Sequence, residues 1–212
     1  MRGVYVVAED AVTIEITRRL IKEYAPNLQI KAVFPVRGGK MKSQISNYNA
    51  LSSIDPVVLL SDLDTEDCAP LAKNKLLNGV NPNRDFIINI AVDEAEAWLY
   101  ADAEGLAPFL KVPVDSIPSS SLQKMGGMNG RLEVDVPIKT SLHLTSQLVL
   151  QSTDSSIRQQ LQSEDNRCKG KEYNRGILPF IQFLWNPERA RMNSYSLDGM
   201  IKRITALNAK FA

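Results

Sequence analysis

Residues 57–67, VVLLSDLDTED, decide the fold because they join an apolar run directly to acidic residues. The run is short and begins with two valines, which favours a buried β-strand over a helix. Asp62 and Asp64 stand one residue apart at its end. Open α/β sheets bind ligands at the carboxyl ends of their strands, and a divalent cation relieves the repulsion between neighbouring carboxylates. The stretch therefore predicts a strand that ends in a divalent metal site.

Three further segments predict the other strands of a sheet. Residues 4–8 and 86–92 are compact apolar runs, as in a covered sheet, and residues 28–36 alternate between apolar and other side chains. Amphipathic spacing predicts helices between them, at residues 11–24, about 42–52 and about 65–77. Alternating strands and helices with short connections are typical of a parallel α/β sheet.

Acidic residues also follow the first and the fourth predicted strands. Glu9 comes directly after residues 4–8, and Asp93, Glu94 and Glu96 come directly after residues 86–92. The carboxyl ends of parallel strands meet at one edge of a sheet. We therefore expect these acids to converge there with the two aspartates of residues 57–67.

A basic segment follows the second predicted strand. Arg37, Gly38, Gly39, Lys40 and Lys42 have the composition of a flexible turn, and glycines and lysines in such a turn can hold phosphate. The same residues are also ordinary turn chemistry, and the pattern is not a Walker sequence.

The second half of the chain has a different composition. Residues 106–131 are rich in Pro, Ser and Gly, which indicates loops. Helical spacing returns at about residues 142–161 and at residues 196–211. We expect two domains, an α/β domain at residues 1–104 and a loop-rich, helical extension at residues 105–212 that packs on it.

Charge and residue counts exclude several classes of protein. A net charge of +1 on 212 residues excludes a generally basic, histone-like protein but leaves room for a basic groove. Two cysteines, Cys68 and Cys168, and one histidine, His143, make neither a Cys/His zinc site nor a disulfide framework. No run approaches the roughly 18 apolar residues of a membrane span, and no signal-peptide core is present. We expect a cytoplasmic protein without membrane association.

Three sequence blocks resemble the TOPRIM fold, and within it the stand-alone bacterial proteins of the DUF4276 and OLD-nuclease-like kind. YVVAED resembles the first TOPRIM strand with its glutamate, here Glu9. VVLLSDLD resembles the DxD motif, here Asp62 and Asp64, and DEAEAWLYAD resembles the later acidic block, here Glu94 and Glu96. The resemblance implies a TOPRIM-like, Rossmann-like parallel sheet flanked by helices, with a mainly helical C-terminal half.

The resemblance also implies Mg²⁺- or Mn²⁺-dependent hydrolysis of phosphodiester bonds in nucleic acid, DNA more than RNA, in phage defence or DNA maintenance beside an ATPase partner. The acids of the three blocks would hold metal. The block CKGKEY resembles the lysine-containing segment of related nucleases, which makes Lys169 and Lys171 candidates for contact with the scissile phosphate. The implied catalytic residues are Glu9, Asp62, Asp64 and Lys171.

Structural alternatives remain for most of these residues. Asp93 followed by Glu96 matches an N-capping arrangement for the helix that contains Trp98, and Asp64 fits acidic enrichment at a helix start. Lys169 and Lys171 lie in a charge cluster typical of a solvated surface. Four further residues also have local interpretations: Asp10 as a solvated neighbour of Glu9, His143 as a hydrogen-bonded buried or surface residue, and Trp98 and Trp185 as core residues.

Two other functions fit parts of the sequence. A non-catalytic or partner-activated binding subunit is one, because Asp10 stands where the related families have glycine and because the net charge is near zero. A phosphatase of the haloacid-dehalogenase type is disfavoured, because Glu66 occupies the position where that motif needs Thr or Val.

Overall fold

The computed structural model describes residues 1–123, 130–165 and 169–212 of the chain. These residues pack as two compact units, the first formed by Met1–Val92 with Asp198–Ala212 and the second by Asp93–Leu197. The expected division at residue 104 stays a prediction, because compact packing does not by itself define domains that fold alone. The glycines expected in a loop at residues 126 and 127, and Cys168, lie outside the described residues.

A four-stranded parallel sheet forms the centre of the first unit. Every neighbouring pair of strands is parallel, so all four carboxyl ends lie at one edge. The predicted α/β class, with a parallel sheet flanked by helices, is confirmed. The strands are β1 (Arg2–Ala8), β2 (Leu28–Pro35), β3 (Val57–Asp62) and β4 (Phe86–Ala91), in the order β2-β1-β3-β4.

Helix α1 (Ala11–Tyr24) has the bounds that its amphipathic spacing predicts. Asp10, expected to be a solvated neighbour of Glu9, instead caps this helix. Its Oδ1 accepts a 2.9 Å hydrogen bond from the backbone N–H of Thr13, and its own backbone N–H donates to Thr13 Oγ1 at 2.9 Å. This reciprocal pair is a capping box, which satisfies donors that the first helical turn leaves unpaired.

The basic segment after β2 is helical. Helix α2 covers Gly38–Ser43 and helix α3 covers Ile45–Leu51. The predicted flexible turn is therefore wrong, whereas the helix predicted at about residues 42–52 is present as α3 and begins three residues later. Burial is the physical reason, because Met41 and Ile45 are four residues apart and only 1% and 2% exposed. Packing of this apolar face offsets the low helix propensity of two glycines.

Helix α4 (Ala69–Leu77) begins later than the predicted residue 65, with Pro70 in its first turn as expected. Its Leu77 joins a core cluster on the sheet. That cluster is built from alternate residues of the strands and from α2 and α3, and the buried members are Val7, Met41, Ile45, Tyr48, Val57, Leu59, Leu77, Phe86 and Ile88.

The second unit is mainly helical, as predicted. Its helices are α5 (Glu96–Tyr100), α6 (Ala103–Leu110), α7 (Thr140–His143), α8 (Ser155–Leu161), α9 (Tyr173–Pro179) and α10 (Pro187–Arg191). Helix α7 continues through a π-helical turn, Leu144–Leu148, and a 3-10 turn, Val149–Gln151. Helix α9 likewise continues into a π-helical turn, Phe180–Leu184.

A short antiparallel pair is formed by β5 (Ser120–Gln123), which lies where the sequence predicts only loops, and β6 (Arg131–Val134), which begins at the end of that region. The last helix, α11 (Tyr195–Ala209), agrees closely with the predicted residues 196–211. Among the described residues, no helix is both long and apolar enough to cross a membrane.

The predicted interior positions of the aromatic residues are confirmed. Trp98 and Trp185 are 0% and 1% exposed, and the indole N–H of Trp185 donates to the backbone carbonyl of Trp98 at 3.2 Å. His143 is a buried, hydrogen-bonded imidazole, with Nδ1 2.9 Å from the hydroxyl of Tyr100.

Candidate active site

Glu9 and Ser61 meet at the carboxyl ends of the two central strands. β1 and β3 are neighbours in register, with Ala8 opposite Leu60, so the residues that follow these two positions lie side by side. The Ser61 hydroxyl donates a 2.5 Å hydrogen bond to Glu9 Oε1. The backbone N–H of Asp62 also donates to the Glu9 carboxylate. The end of β3 therefore orients the carboxylate that follows β1.

Burial raises the pKa of Glu9 above its ordinary value, because a half-buried carboxylate loses hydration of its charged form. The Ser61 hydrogen bond acts in the opposite direction and lowers this pKa. The negative charge of Asp64 raises it again, so Glu9 and Asp64 lie close enough to repel each other. Glu9 is thus a proton acceptor with a higher affinity than an exposed glutamate.

Asp62 and Asp64 lie on the two sides of the point where β3 ends. Asp62 is the last residue of the strand, opposite Ala91, and the backbone N–H of Leu63 still bonds to the Ala91 carbonyl at 2.8 Å. Asp64 then adopts a left-handed backbone conformation, with φ of 52°, and its side chain is exposed. A non-glycine residue with positive φ is uncommon and marks a defined turn.

The alternative role of Asp64 at a helix start is wrong. Helix α4 begins only at Ala69, and its first turn holds no acidic residue. The segment between Asp64 and α4 is turn and loop. Asp64 therefore belongs to the turn at the sheet edge.

The chemistry of these donors fits a hard divalent cation, which prefers carboxylate oxygens. A cation would also offset the repulsion between Glu9 and Asp64. Within the described parts of the chain, however, no three His, Cys, Asp or Glu side chains stand together as a group that could hold a metal ion. The metal site therefore stays a prediction.

Asp93 and Glu94 belong to the second unit, where both bind the start of α7. Asp93 accepts hydrogen bonds from the backbone N–H of Thr140, at 3.0 Å, and from the Thr140 hydroxyl. Glu94 Oε2 accepts a 2.8 Å bond from the backbone N–H of Ser141, and Lys139 lies 3.7 Å from Oε1. The predicted capping of the Trp98 helix by Asp93 is wrong, because Ala95 occupies the cap position of α5.

Glu96 is held by an ion pair inside the second unit. Its side chain is 1% exposed, and Oε1 lies 2.5 Å from Lys169 Nζ and 3.1 Å from the Tyr173 hydroxyl. Lys169 is therefore not a solvated surface lysine. Lys171 is a solvated surface lysine, because its side chain is 85% exposed and its ammonium group lies 3.7 Å from the Glu164 carboxylate. The metal role of Glu94 and Glu96 and the catalytic role of Lys171 stay predictions.

Sequence reasoning missed Ser61, the hydroxyl partner of Glu9. A sequence signal exists, since Ser61 is the first polar residue after the apolar run 57–60 and stands directly before Asp62. Its neighbour across the sheet depends on strand order and register, and neither is written in the local sequence.

Comparisons with known proteins give one structural likeness. The chain is similar to the C-terminal region of the Burkholderia pseudomallei OLD protein, with 14% sequence identity over 100% of this chain and 98% of that chain, and a TM-score of 0.43. No protein-family model matches, so membership of DUF4276 has no support there. No curated protein matches the sequence either.

Proposed function

We propose that the chain is a metal-dependent nuclease that hydrolyses phosphodiester bonds in nucleic acid, DNA rather than RNA. The observation that carries the proposal is the placement of Glu9 and Asp62 at the carboxyl ends of adjacent parallel strands, with the Glu9 carboxylate oriented by Ser61 and by the Asp62 N–H. This edge is the usual ligand site of an open parallel sheet.

The residues of this edge have distinct roles in the proposed reaction. Asp62 and Asp64 supply oxygen ligands for Mg²⁺ or Mn²⁺, which when bound neutralises charge on the phosphoryl oxygens. Glu9 is a further ligand or accepts the proton of the attacking water. Its raised pKa suits proton acceptance, because a base works best with a pKa near the working pH.

Three residues of the second unit complete the proposal. Glu94 and Glu96 are the candidates for a second metal position, and Lys171 is the candidate for contact with the phosphate. The high exposure of Lys171 and its long 3.7 Å ion pair leave its ammonium group accessible to a substrate. Glu96 would have to exchange Lys169 for a metal ion.

We also propose a setting in phage defence or DNA maintenance, with an ATPase as protein partner. A second candidate is a partner-activated or non-catalytic binding subunit. One observation favours it, because the described side chains form no group of three that could hold a metal. A partner or substrate would then draw the acids into position.

A cleavage assay with the isolated chain separates these two functions. Supercoiled plasmid DNA and a structured RNA are each incubated with the protein and Mg²⁺, Mn²⁺, Ca²⁺ or a chelator. The nuclease proposal expects cleavage of DNA with Mg²⁺ or Mn²⁺ and none with the chelator. Intact DNA and RNA under every metal condition would favour the partner-dependent subunit.

A further inference from the structure

The segment between Glu23 and Asp55 is the longest part of the first unit that contains no acidic residue. All four of its charged side chains are basic, namely Lys31, Arg37, Lys40 and Lys42. Lys31 forms a 2.5 Å ion pair with Asp55. Arg37, Lys40 and Lys42 are exposed, and no acidic residue in the described ranges pairs with them. These three cations form what we call the α2 basic surface.

The α2 basic surface lies on a segment that packs on the core beneath it. Met41 stands between Lys40 and Lys42 in sequence and is 1% exposed within the core cluster. Ile45, at the start of α3, is buried in the same cluster. Because the apolar side of this segment is buried, the lysines that flank Met41 are presented to solvent from a helix.

The strand order places this surface beside the candidate active site. β2 is next to β1, and β1 is next to β3. The backbone N–H of Val36 bonds to the Ala8 carbonyl at 2.9 Å, so the chain leaves β2 toward Arg37 beside the point where β1 leads to Glu9. With strands about 4.8 Å apart, the ends of β2 and β3 are separated by about 10 Å.

That separation is within the reach of a nucleic-acid backbone. One DNA strand carries a phosphate about every 3.4 Å along the helix axis, so a backbone that reaches the ends of β1 and β3 has further phosphates within about 10 Å of them. A backbone whose scissile phosphate lies at Glu9 and Asp62 would bring flanking phosphates over α2. Charge complementarity then selects a polyanion as the occupant of this surface.

We propose that Arg37, Lys40 and Lys42 bind the phosphate backbone of the nucleic-acid substrate next to the scissile bond. The proposal rests on the proposed function for the identity of the polyanion. These residues contact phosphates and no bases, so their contribution is independent of sequence and depends strongly on salt.

The test measures binding without cleavage. Affinity for a short fluorescein-labelled DNA duplex is measured by anisotropy in Ca²⁺ with an Asp62→Asn background, between about 50 and 200 mM salt. Lys40→Ala and Lys42→Ala are each expected to reduce the salt slope by about one, and the double variant to weaken binding about tenfold.

Lys22→Ala is the matched control. Lys22 is also an exposed helical lysine, but it lies in the last turn of α1, which runs away from the carboxyl edge. Its substitution is expected to leave the affinity and the salt slope unchanged. Substitution of exposed lysines leaves folding nearly unaffected, which circular dichroism and the melting temperature verify for each variant.

Two results would overturn the α2 basic surface as a phosphate-binding site. One is an unchanged salt slope in the Lys40 and Lys42 variants, even if the wild-type protein cleaves DNA. The other is an absence of duplex binding by the parent protein. Loss of binding in these variants without any cleavage by the wild type would support the surface while contradicting the nuclease proposal.

Discussion

The Ser61 hydroxyl donates a 2.5 Å hydrogen bond to Glu9 Oε1, although 52 residues separate the two in sequence. The bond joins the carboxyl ends of β1 and β3 and orients the Glu9 carboxylate. It also offsets part of the cost of ionising this carboxylate in a half-buried position. It is a positioning contact for the proposed reaction, since Ser61 acts through Glu9.

Removal of the Ser61 hydroxyl tests this relationship. Ser61→Ala is expected to slow DNA cleavage about tenfold, because a hydrogen bond to a charged group contributes about 1.5 kcal/mol or more. Ser61→Thr keeps the hydroxyl and is expected to retain most of the activity. Equal rates for the Ala variant and the wild type would show that Glu9 needs no such orientation.

The ion pair between the buried Glu96 and Lys169, whose side chain is 30% exposed, predicts an asymmetry between two nearby lysines. Lys169→Met leaves Glu96 buried without its cation and is expected to lower the free energy of unfolding by about 3 kcal/mol. Lys171→Met removes only an exposed, 3.7 Å pair and is expected to cost less than about 0.5 kcal/mol. Urea denaturation measures both, and equal effects would contradict the structural role of Lys169.

Glu133 predicts a pH dependence of stability. This residue of β6 is buried and accepts hydrogen bonds from the Ser194 hydroxyl at 2.7 Å and from the Ser196 backbone N–H at 2.6 Å. Burial nevertheless raises its pKa above the ordinary 4.5. The folded state therefore binds more protons than the unfolded state above pH 4.5, and stability falls as the pH rises through the folded pKa.

The Glu133→Gln variant lacks this titration. Relative to the wild type, its free energy of unfolding is expected to increase as the pH rises from 4.5, the ordinary pKa of a glutamate, through the raised folded pKa. Urea denaturation of both proteins over a pH series that starts at 4.5 gives the difference. A relative stability that stays constant or falls with pH would mean that Glu133 is not desolvated as the structure places it.

The capping box of α1 predicts a small, specific loss of stability. Asp10→Ala removes the acceptor for the Thr13 N–H and is expected to cost about 1 kcal/mol. Asp10→Asn keeps an acceptor at the cap and is expected to stay within a few tenths of a kcal/mol of the wild type. If the Asn variant lost as much stability as the Ala variant, the charge of Asp10 would matter instead of its hydrogen bond.

The sequence predicts those helices and strands in which the spacing of the apolar residues matches the face that is buried. Helix α1 shows its apolar stripe, and the β3 strand shows its unbroken apolar run, so both were recognisable. Helix α2 was not, because Gly38 and Gly39 indicate a turn locally while packing of Met41 decides the conformation. The β5 strand contains two serines in four residues and gives no strand signal.

The candidate site likewise combines features that have a local sequence pattern with features that depend on tertiary contacts. Acids placed directly after apolar strands predict a cluster at a sheet edge, because parallel topology brings carboxyl ends together. The roles of Asp10 and Asp93 depend instead on hydrogen bonds to particular threonines, Thr13 and Thr140. The Asp-x-x-Thr pattern could have identified the first, whereas the bond from Thr140 to Asp93 spans 47 residues and has no local signal.

The most direct test of the account compares DNA cleavage by Asp62→Asn with cleavage by Asp67→Asn. Both aspartates belong to residues 57–67, but Asp62 is the last residue of β3 and Asp67 is exposed beyond the turn. With Mn²⁺ and plasmid DNA, the account predicts that Asp62→Asn lowers the cleavage rate at least about a thousandfold, about 4 kcal/mol, while Asp67→Asn cleaves like the wild type. Full activity in Asp62→Asn would contradict the assignment of this sheet edge as the active site.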